Sequence, residues 1–450
     1  MNSDLTTAPI PALVRRLAIP AGTGFFFTTM FNVVDIWYGS KLSTNALAAM
    51  SLSFPVFFIL LAIGTGVSTS ATALVGNALG RGDQSEARQF VIQVFSFGLL
   101  HALVLTLLGI IALPYIFQAM GAYGEYLELA LGYMYVIFLG TTFFMFNFIL
   151  SAILNSHGDT KTYRNFLITG FFFNCILDPW FMYGGFGIPA LGLAGIALAT
   201  VLIQLAGNIF LIWHLIQSGI IIEFKLNELK PRWHYFRELF RHGFPSAMNM
   251  MTVSIGIFII TWYAGRYGHQ AVAAYGIATR IEQIALLPVM GLNVSTLALT
   301  AQNFGAERFD RIRQILSTSL RYGFILASAG TMVAFFFTVP LLHTFTTDNQ
   351  VIHFGIQCLR IEAFVFPAYV ILYICVSAMQ GVKRPSFALW VGLYRQIIAP
   401  GAVFHIMTTI MGLGIVGIWW GVFGITWSAA LVVGIYVSWL LSKLEKEQDS

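Results

Sequence analysis

The sequence predicts an all-α polytopic membrane protein, with twelve transmembrane helices in two six-helix lobes related by a pseudo-two-fold along the membrane normal. Three observations carry that reading. Of 450 residues, 58% are hydrophobic and only 10% charged, at a mean hydropathy of +0.78, whereas about a quarter of the residues of a soluble domain are charged. Twelve apolar segments follow one another, most of them long enough to span a bilayer as a helix. The chain also repeats itself at half its length, an offset of 225 residues that takes Pro20 to Pro245.

The segments run approximately 12–40, 46–78, 89–118, 124–155, 162–185, 190–218, 237–266, 271–303, 312–345, 349–380, 385–411 and 415–441. The first opens with Arg15 and Arg16, closes with Trp37 and Tyr38, and holds two residues that break its apolar rule, Pro20 and Asp35. It is too long for a cleavable signal peptide, and no small-residue cleavage site follows. Pro20 either starts the helix, where its missing donor costs nothing, or lies inside it and bends it. Bending would make it a helix-1 hinge. Glycines and prolines recur in later segments, and membrane helices tolerate them where neighbours satisfy the freed backbone groups.

Basic residues set the orientation. Arg81 and Arg88, Lys161 and Arg164, Lys225 to Arg241, Arg308 to Arg313, Lys383 and Arg384, and Lys443 and Lys446 fall at alternate junctions, with only Lys41 and Arg266 on the opposite side. The positive-inside rule then places both termini in the cytoplasm of a multi-pass inner-membrane protein. The expected division is an N-lobe over 1–218, a charged cytoplasmic linker over 219–236 and a C-lobe over 237–450. Cys175, Cys358 and Cys375 lie in apolar segments and read as packing residues, not a disulfide frame.

The repeat is dense. Trp37 and Tyr38 meet Trp262 and Tyr263, Gly66 meets Gly291, Ser70 meets Ser295, Gly80 meets Gly305, and Arg88-Gln89 meets Arg313-Gln314. Six helices per repeat is an even number, so both halves enter from the same side, with a substrate cavity expected between them.

The halves part company at the acids. Asp35 meets Ile260, so the fold alone does not require it, and a carboxylate in a spanning helix is costly enough to suggest a function. Near the helix end, Asp35 either sits in interfacial water or lines a cavity; Thr28, Asn32 and Asp35, spaced by four and three, share a helix face and favour the cavity. Asn174 and Asp178 share a face of the fifth segment, directly before Pro179. The first and fifth segments run in the same direction, so the two acids can meet at one depth. Two carboxylates in one site cannot both ionise cheaply, which makes a proton trap, or a cation site completed by amide and hydroxyl oxygens. Thr200 and Asn147 are the candidate completers.

The C-lobe carries Arg280 and Glu282, Arg360 and Glu362, and Arg395. These either pair and lock the lobe or form a second polar site. Phenylalanine occurs 41 times, beside 17 tyrosines, 10 tryptophans and 15 methionines, a composition suited to large apolar cations through cation–π contacts and adaptable packing. No His-Glu-x-x-His, Walker A or Rossmann pattern appears, and the Gly-x-Gly-Asp context of intramembrane aspartyl proteases is missing. An enzyme is not expected. With no nucleotide site, transport has to be driven by an ion.

Leu-Ala-Ile-Pro-Ala at 17–21, Val-Asp at 34–35, Gly-Asn-Ala-Leu-Gly-Arg-Gly at 76–82, Ala-Gln-Asn-Phe-Gly-Ala at 301–306 and Gly-Ile-Ala-Thr-Arg-Ile-Glu at 276–282 occur in order on the two halves. Over essentially its whole length the chain resembles the multidrug and toxic compound extrusion (MATE) transporters. The acids at 35 and 178 look like the branch related to DNA-damage-inducible protein F. The resemblance implies export of cationic or amphipathic small molecules in exchange for protons, or for sodium, with a coupling cluster at Asp35, Asn174, Asp178 and Thr200 and bending of helix 1 at Pro20. No organic cofactor, resident metal or nucleic-acid partner is implied; H+ or Na+ is the coupling ion, the lipid bilayer the surroundings, and a monomer the expected state. The chain departs from the NorM-like pattern in having no membrane acid in the seventh segment, while Glu362 leaves a C-lobe site open. A flippase for a lipid-linked precursor, usually of fourteen helices, and a non-transporting receptor are the alternatives.

Overall fold

A computed structural model describes residues 5–220 and 226–449; the expected linker positions 221–225 lie outside the described residues. The described chain is helical, with α1 Ile10–Leu42, α2 Thr44–Gly80, α3 Gln84–Ala119, α4 Gly124–Leu139, α5 Thr141–Ser156, α6 Lys161–Tyr183, α7 Leu193–Gln217 and α8 Trp233–Gly265. The second half continues with α9 His269–Gly305, α10 Phe309–Phe336, the short α11 Thr338–His343, α12 Asn349–Glu362, α13 Phe366–Gly381, α14 Ser386–Leu393, α15 Ala399–His405 and α16 Val416–Asp449. Among the described residues eleven helical spans are long and apolar enough to cross a membrane, and α4 with α5, bent by 48° at Gly140, makes a twelfth. The protein is therefore a multi-pass membrane protein, and side chains such as Leu107, Ile111, Phe336 and Ile435 are exposed because their solvent is hydrocarbon.

Four expected segments are not single helices: 124–155 bends at Gly140, 349–380 is interrupted by a 3₁₀ turn at Ala363–Val365, and two more are broken. The stretch 312–345 divides into α10 and α11 at Phe337. The stretch 385–411 is interrupted by π-helical turns at Tyr394–Ile398 and Ile406–Ile410. Such turns widen the backbone ladder by one residue and are common at functional sites.

The chain forms two compact units, and their boundary corrects the expected lobes. One unit holds Thr23–Ala247; the other holds the described residues up to Gly22 together with those from Met248 onward. Each crossover falls two residues after a proline, Pro20 in α1 and Pro245 in α8, at positions related by the same offset of 225. The N-terminal ends of α1 and α8 therefore belong to the unit opposite the rest of their own repeat. Pro20 lies well inside α1, so the helix-start reading does not hold: its ring leaves the carbonyl of Arg16 without the usual donor.

Close backbone packing holds each exchanged segment. A Cβ at Gly66 of α2 would lie 2.6 Å from the carbonyl oxygen of Gly243, and one at Gly291 of α9 would lie 2.3 Å from that of Ala18. These are repeat-related contacts, one inside each unit. Gly291→Ala is expected to cost on the order of 1–3 kcal/mol, read as a lower melting temperature in detergent. Gly132→Ala on α4, where an added Cβ meets nothing, is the control and should leave the melting temperature unchanged or raised.

The segments leading into α1 and α8 are pinned as well. Arg308 and Arg311 donate to the carbonyls of Thr6 (3.0 Å) and Ala8 (2.7 Å), and Asn303 donates to that of Leu5 at 3.1 Å. Ahead of α8, Arg88 forms a two-pronged pair with Glu228, both prongs 2.8 Å. Gln93 donates to the carbonyls of Glu228 and Lys230, and Ser96 to that of Leu229. The described part of the linker, a 3₁₀ turn at Leu226–Leu229, is thus fastened to α3. At the far ends of α1 and α8, Lys41 lies over the Trp37 ring and Arg266 over Trp262, the cation–aromatic pairing typical of a membrane interface.

Candidate functional site

The carboxylates of α1 and α6 meet. Asn174 Nδ2 donates to Asp35 Oδ1 and to Asp178 Oδ1, both at 2.8 Å. One amide thus bridges two acids, and all three side chains are buried, Asp35 at 6% exposure and the other two at 0%. Thr200 of α7 completes the group: its hydroxyl lies 3.5 Å from Asp35 Oδ2 and 3.1 Å from the carbonyl of Ile196.

Local sequence explains how these elements converge. Asn174 and Asp178 are one helical turn apart on α6. The loop after α6 turns through left-handed Gly184. It lets α7 return so closely that a Cβ at Gly195 would sit 2.5 Å from the Phe181 carbonyl oxygen. That approach brings Thr200 to the acids. Two buried oxygens, Asn174 Oδ1 and Asp178 Oδ2, have no hydrogen-bond partner among the described residues, an unfavourable arrangement for groups of this polarity. As acceptors the cluster offers oxygen atoms, from two carboxylates, one amide and one hydroxyl, with the Asn174 N–H groups between the acids. That set suits a proton shared between acids or a hard monovalent cation.

The other half of the repeat differs at Asp35. At the offset of 225 it becomes Ile260, which is buried in an apolar cluster. The helical scaffold is therefore stable with an aliphatic side chain at that position. The polar cluster costs desolvation that the fold does not require.

Other expected residues fall elsewhere. Asn32 is exposed and donates back to the Thr28 carbonyl at 3.0 Å, with no hydrogen bond to the buried acids among the described residues. Asn147 does not complete the Asp35 site. Its amide donates to the Gln204 side chain at 2.6 Å and to the Gln204 carbonyl at 2.9 Å. Gln204 is one turn beyond Thr200 on α7, and its i, i+4 spacing was the available signal for this missed residue.

Of the two readings open for the C-lobe charges, direct pairing is not seen. Among the described residues no ion pair joins Arg280, Arg360 or Arg395 to Glu282 or Glu362. Residues two apart on a helix point to different sides, which defeats the Arg-x-Glu pairing. Arg280 is exposed, Arg360 lies over the Phe335 ring and Arg395 over Tyr369. Glu362 is buried, with Oε2 unpartnered among the described residues.

The fold and the bridged acids together place a buried polar cluster among the helices of a multi-pass membrane protein. The MatE family model matches residues 20–180 and 245–406, two matches that start on the two crossover prolines. The chain belongs to this family, the multidrug and toxic compound extrusion transporters, and is a transporter, not an enzyme. It is 27% identical over 399 residues to an FAD transporter of Shewanella oneidensis, covering 88% of this chain and 87% of that one. It is 25% identical over 386 residues to a probable multidrug resistance protein, YoeA, of Bacillus subtilis, covering 85% and 83%. Among solved structures, a MOP superfamily transporter from Pyrococcus furiosus superposes with a TM-score of 0.92 at 24% identity, over 99% and 98% of the two chains.

Proposed function

We propose that this protein exports cationic or amphipathic small molecules from the cell across the inner membrane, in exchange for protons, with sodium as the alternative coupling ion. The observation that carries this reading is the single Asn174 amide bridging two buried carboxylates in one half only. A site that accepts a proton or a cation, in a family of transporters with no nucleotide motif, has the chemistry of an antiporter. Multidrug resistance relatives support small-molecule export. The substrate and the ion share the site by alternation: a bound ion neutralises the acids, and the empty, charged form favours hydration and a cationic guest. The bend of α1 at Pro20 is the proposed conformational element, and the branch related to DNA-damage-inducible protein F the proposed subgroup.

Proteoliposomes loaded with a pH indicator test it. Addition of a cationic dye is expected to evoke proton release in the absence of sodium. Release only with sodium would reassign the ion, and no ion movement with either would sink the antiport reading. A second reading, export of a flavin nucleotide, is favoured by the FAD transporter relative; extracellular FAD in cells with and without the protein separates it from dye export.

The proposed orientation has both termini and the linker in the cytoplasm. Asn227 is exposed in the described part of that linker. Asn227→Cys is expected to resist an impermeant thiol reagent applied to intact cells and to react after permeabilisation. Ready labelling from outside would reverse the topology.

A further inference from the structure

Proline at 179 has a consequence one turn back along α6. With no N–H, Pro179 cannot donate to the carbonyl of Cys175, its i−4 partner. That carbonyl is instead reached from another helix: the Tyr38 hydroxyl of α1 donates to Cys175 O at 3.1 Å. Tyr38 lies three residues after Asp35, and Cys175 three before Asp178, so this bond ties together the two helical turns that carry the acids. In the other half Tyr263, the counterpart of Tyr38, packs edge-to-face on Phe404 with ring centroids 5.4 Å apart. The apolar half thus uses a ring contact where the polar half uses a hydrogen bond.

We infer that Tyr38 is a positioning residue for the ion site, clamping α1 to α6 through the backbone acceptor that Pro179 frees. The inference rests on the coupling reading above. It makes Asp178-Pro179 a functional pair: the acid binds the ion, and the proline after it creates the anchor that holds α1, and hence Asp35, within reach of the Asn174 amide. A single hydroxyl–carbonyl bond makes a modest net contribution, strong enough to bias the site and weak enough to break when α1 moves.

The test is a double-mutant cycle. Tyr38→Phe removes the donor and keeps the ring. Pro179→Ala restores an N–H for the Cys175 carbonyl and so removes the need for the donor. Spin labels at Ser40→Cys and Tyr183→Cys, on the ends of α1 and α6, report the clamp independently of transport, with the three native cysteines replaced by alanine; the carbonyl at 175 survives that change. Tyr38→Phe is expected to broaden the label distance distribution and to shift the pH of half-maximal efflux by about half a unit, roughly threefold in proton affinity. In the Pro179→Ala background the same substitution is expected to change the distances little. Equal broadening in both backgrounds, or none in either, overturns the clamp. Full efflux by Asp35→Asn would sink the coupling reading and with it the clamp's role in coupling, whereas an unchanged distribution in Tyr38→Phe would sink the clamp alone.

Discussion

Asp35→Asn is expected to reduce ion-driven efflux to the level of empty vesicles while the protein remains folded in the membrane. Asparagine keeps the size of the side chain and can still meet the Asn174 amide, but it cannot exchange a proton or balance a cation. Asp35 is buried against α6 and α7 through Asn174 and Thr200, so the loss falls on ion binding and not on packing. Asp178→Asn is expected to do the same, since the bridging amide holds both acids equally. Ile260→Val, at the repeat position of Asp35, is expected to cost about 0.5–1.5 kcal/mol of stability and to leave the ion dependence untouched. Dye efflux against a fixed pH gradient, paired with melting curves, separates the two kinds of effect. Wild-type efflux by Asp35→Asn would remove the coupling site.

The second large effect is expected at Pro20. Asp35 lies fifteen residues further along α1, about 22 Å on an ideal helix, so a charge change at one end reaches the other only through movement of the helix itself. A proton shifts a conformational equilibrium only by its differential affinity for the two forms. If α1 bends more readily when Asp35 is neutral, the bent form must bind the proton more tightly. Pro20→Ala restores the donor to the Arg16 carbonyl, straightens α1 and is expected to cut efflux at least tenfold while dye binding near neutral pH survives. A mutant that transports normally, with an unchanged pH profile, would show that helix bending at Pro20 is not the coupling step.

Much of this architecture is legible from the residues. Helical spans follow from apolar length, and the repeat from Pro20, Trp37-Tyr38 and Gly66 meeting their partners without a gap. The meeting of Asp35 with Asn174 and Asp178 was readable because two helices running the same way carry acids at comparable depth. What the sequence hid was tertiary. The exchange of the N-terminal ends of α1 and α8 depends on Gly66 and Gly291 admitting a backbone from elsewhere in the chain, and two glycines in apolar segments do not announce that. Asn147 was drawn to the wrong partner because an amide inside a membrane takes the nearest acceptor, here Gln204. The Arg-x-Glu charges stayed open between pairing and a second site, because opposite charges two apart on a helix are not thereby close in space. Tyr38 was visible as half of an interfacial Trp-Tyr pair, which concealed its second role on the Cys175 carbonyl.

The most direct measurement takes transport out of the question. Purified protein in weakly buffered detergent solution is titrated with a cationic substrate, and protons released are counted. Coupling between two ligands is reciprocal, so a substrate that favours the ionised acids must expel the proton they share. The account predicts release from the wild type that disappears in Asp35→Asn combined with Asp178→Asn, with Ile260→Val behaving as wild type. Equal release from the double variant, or substrate binding by the wild type with no release at any pH, would contradict it.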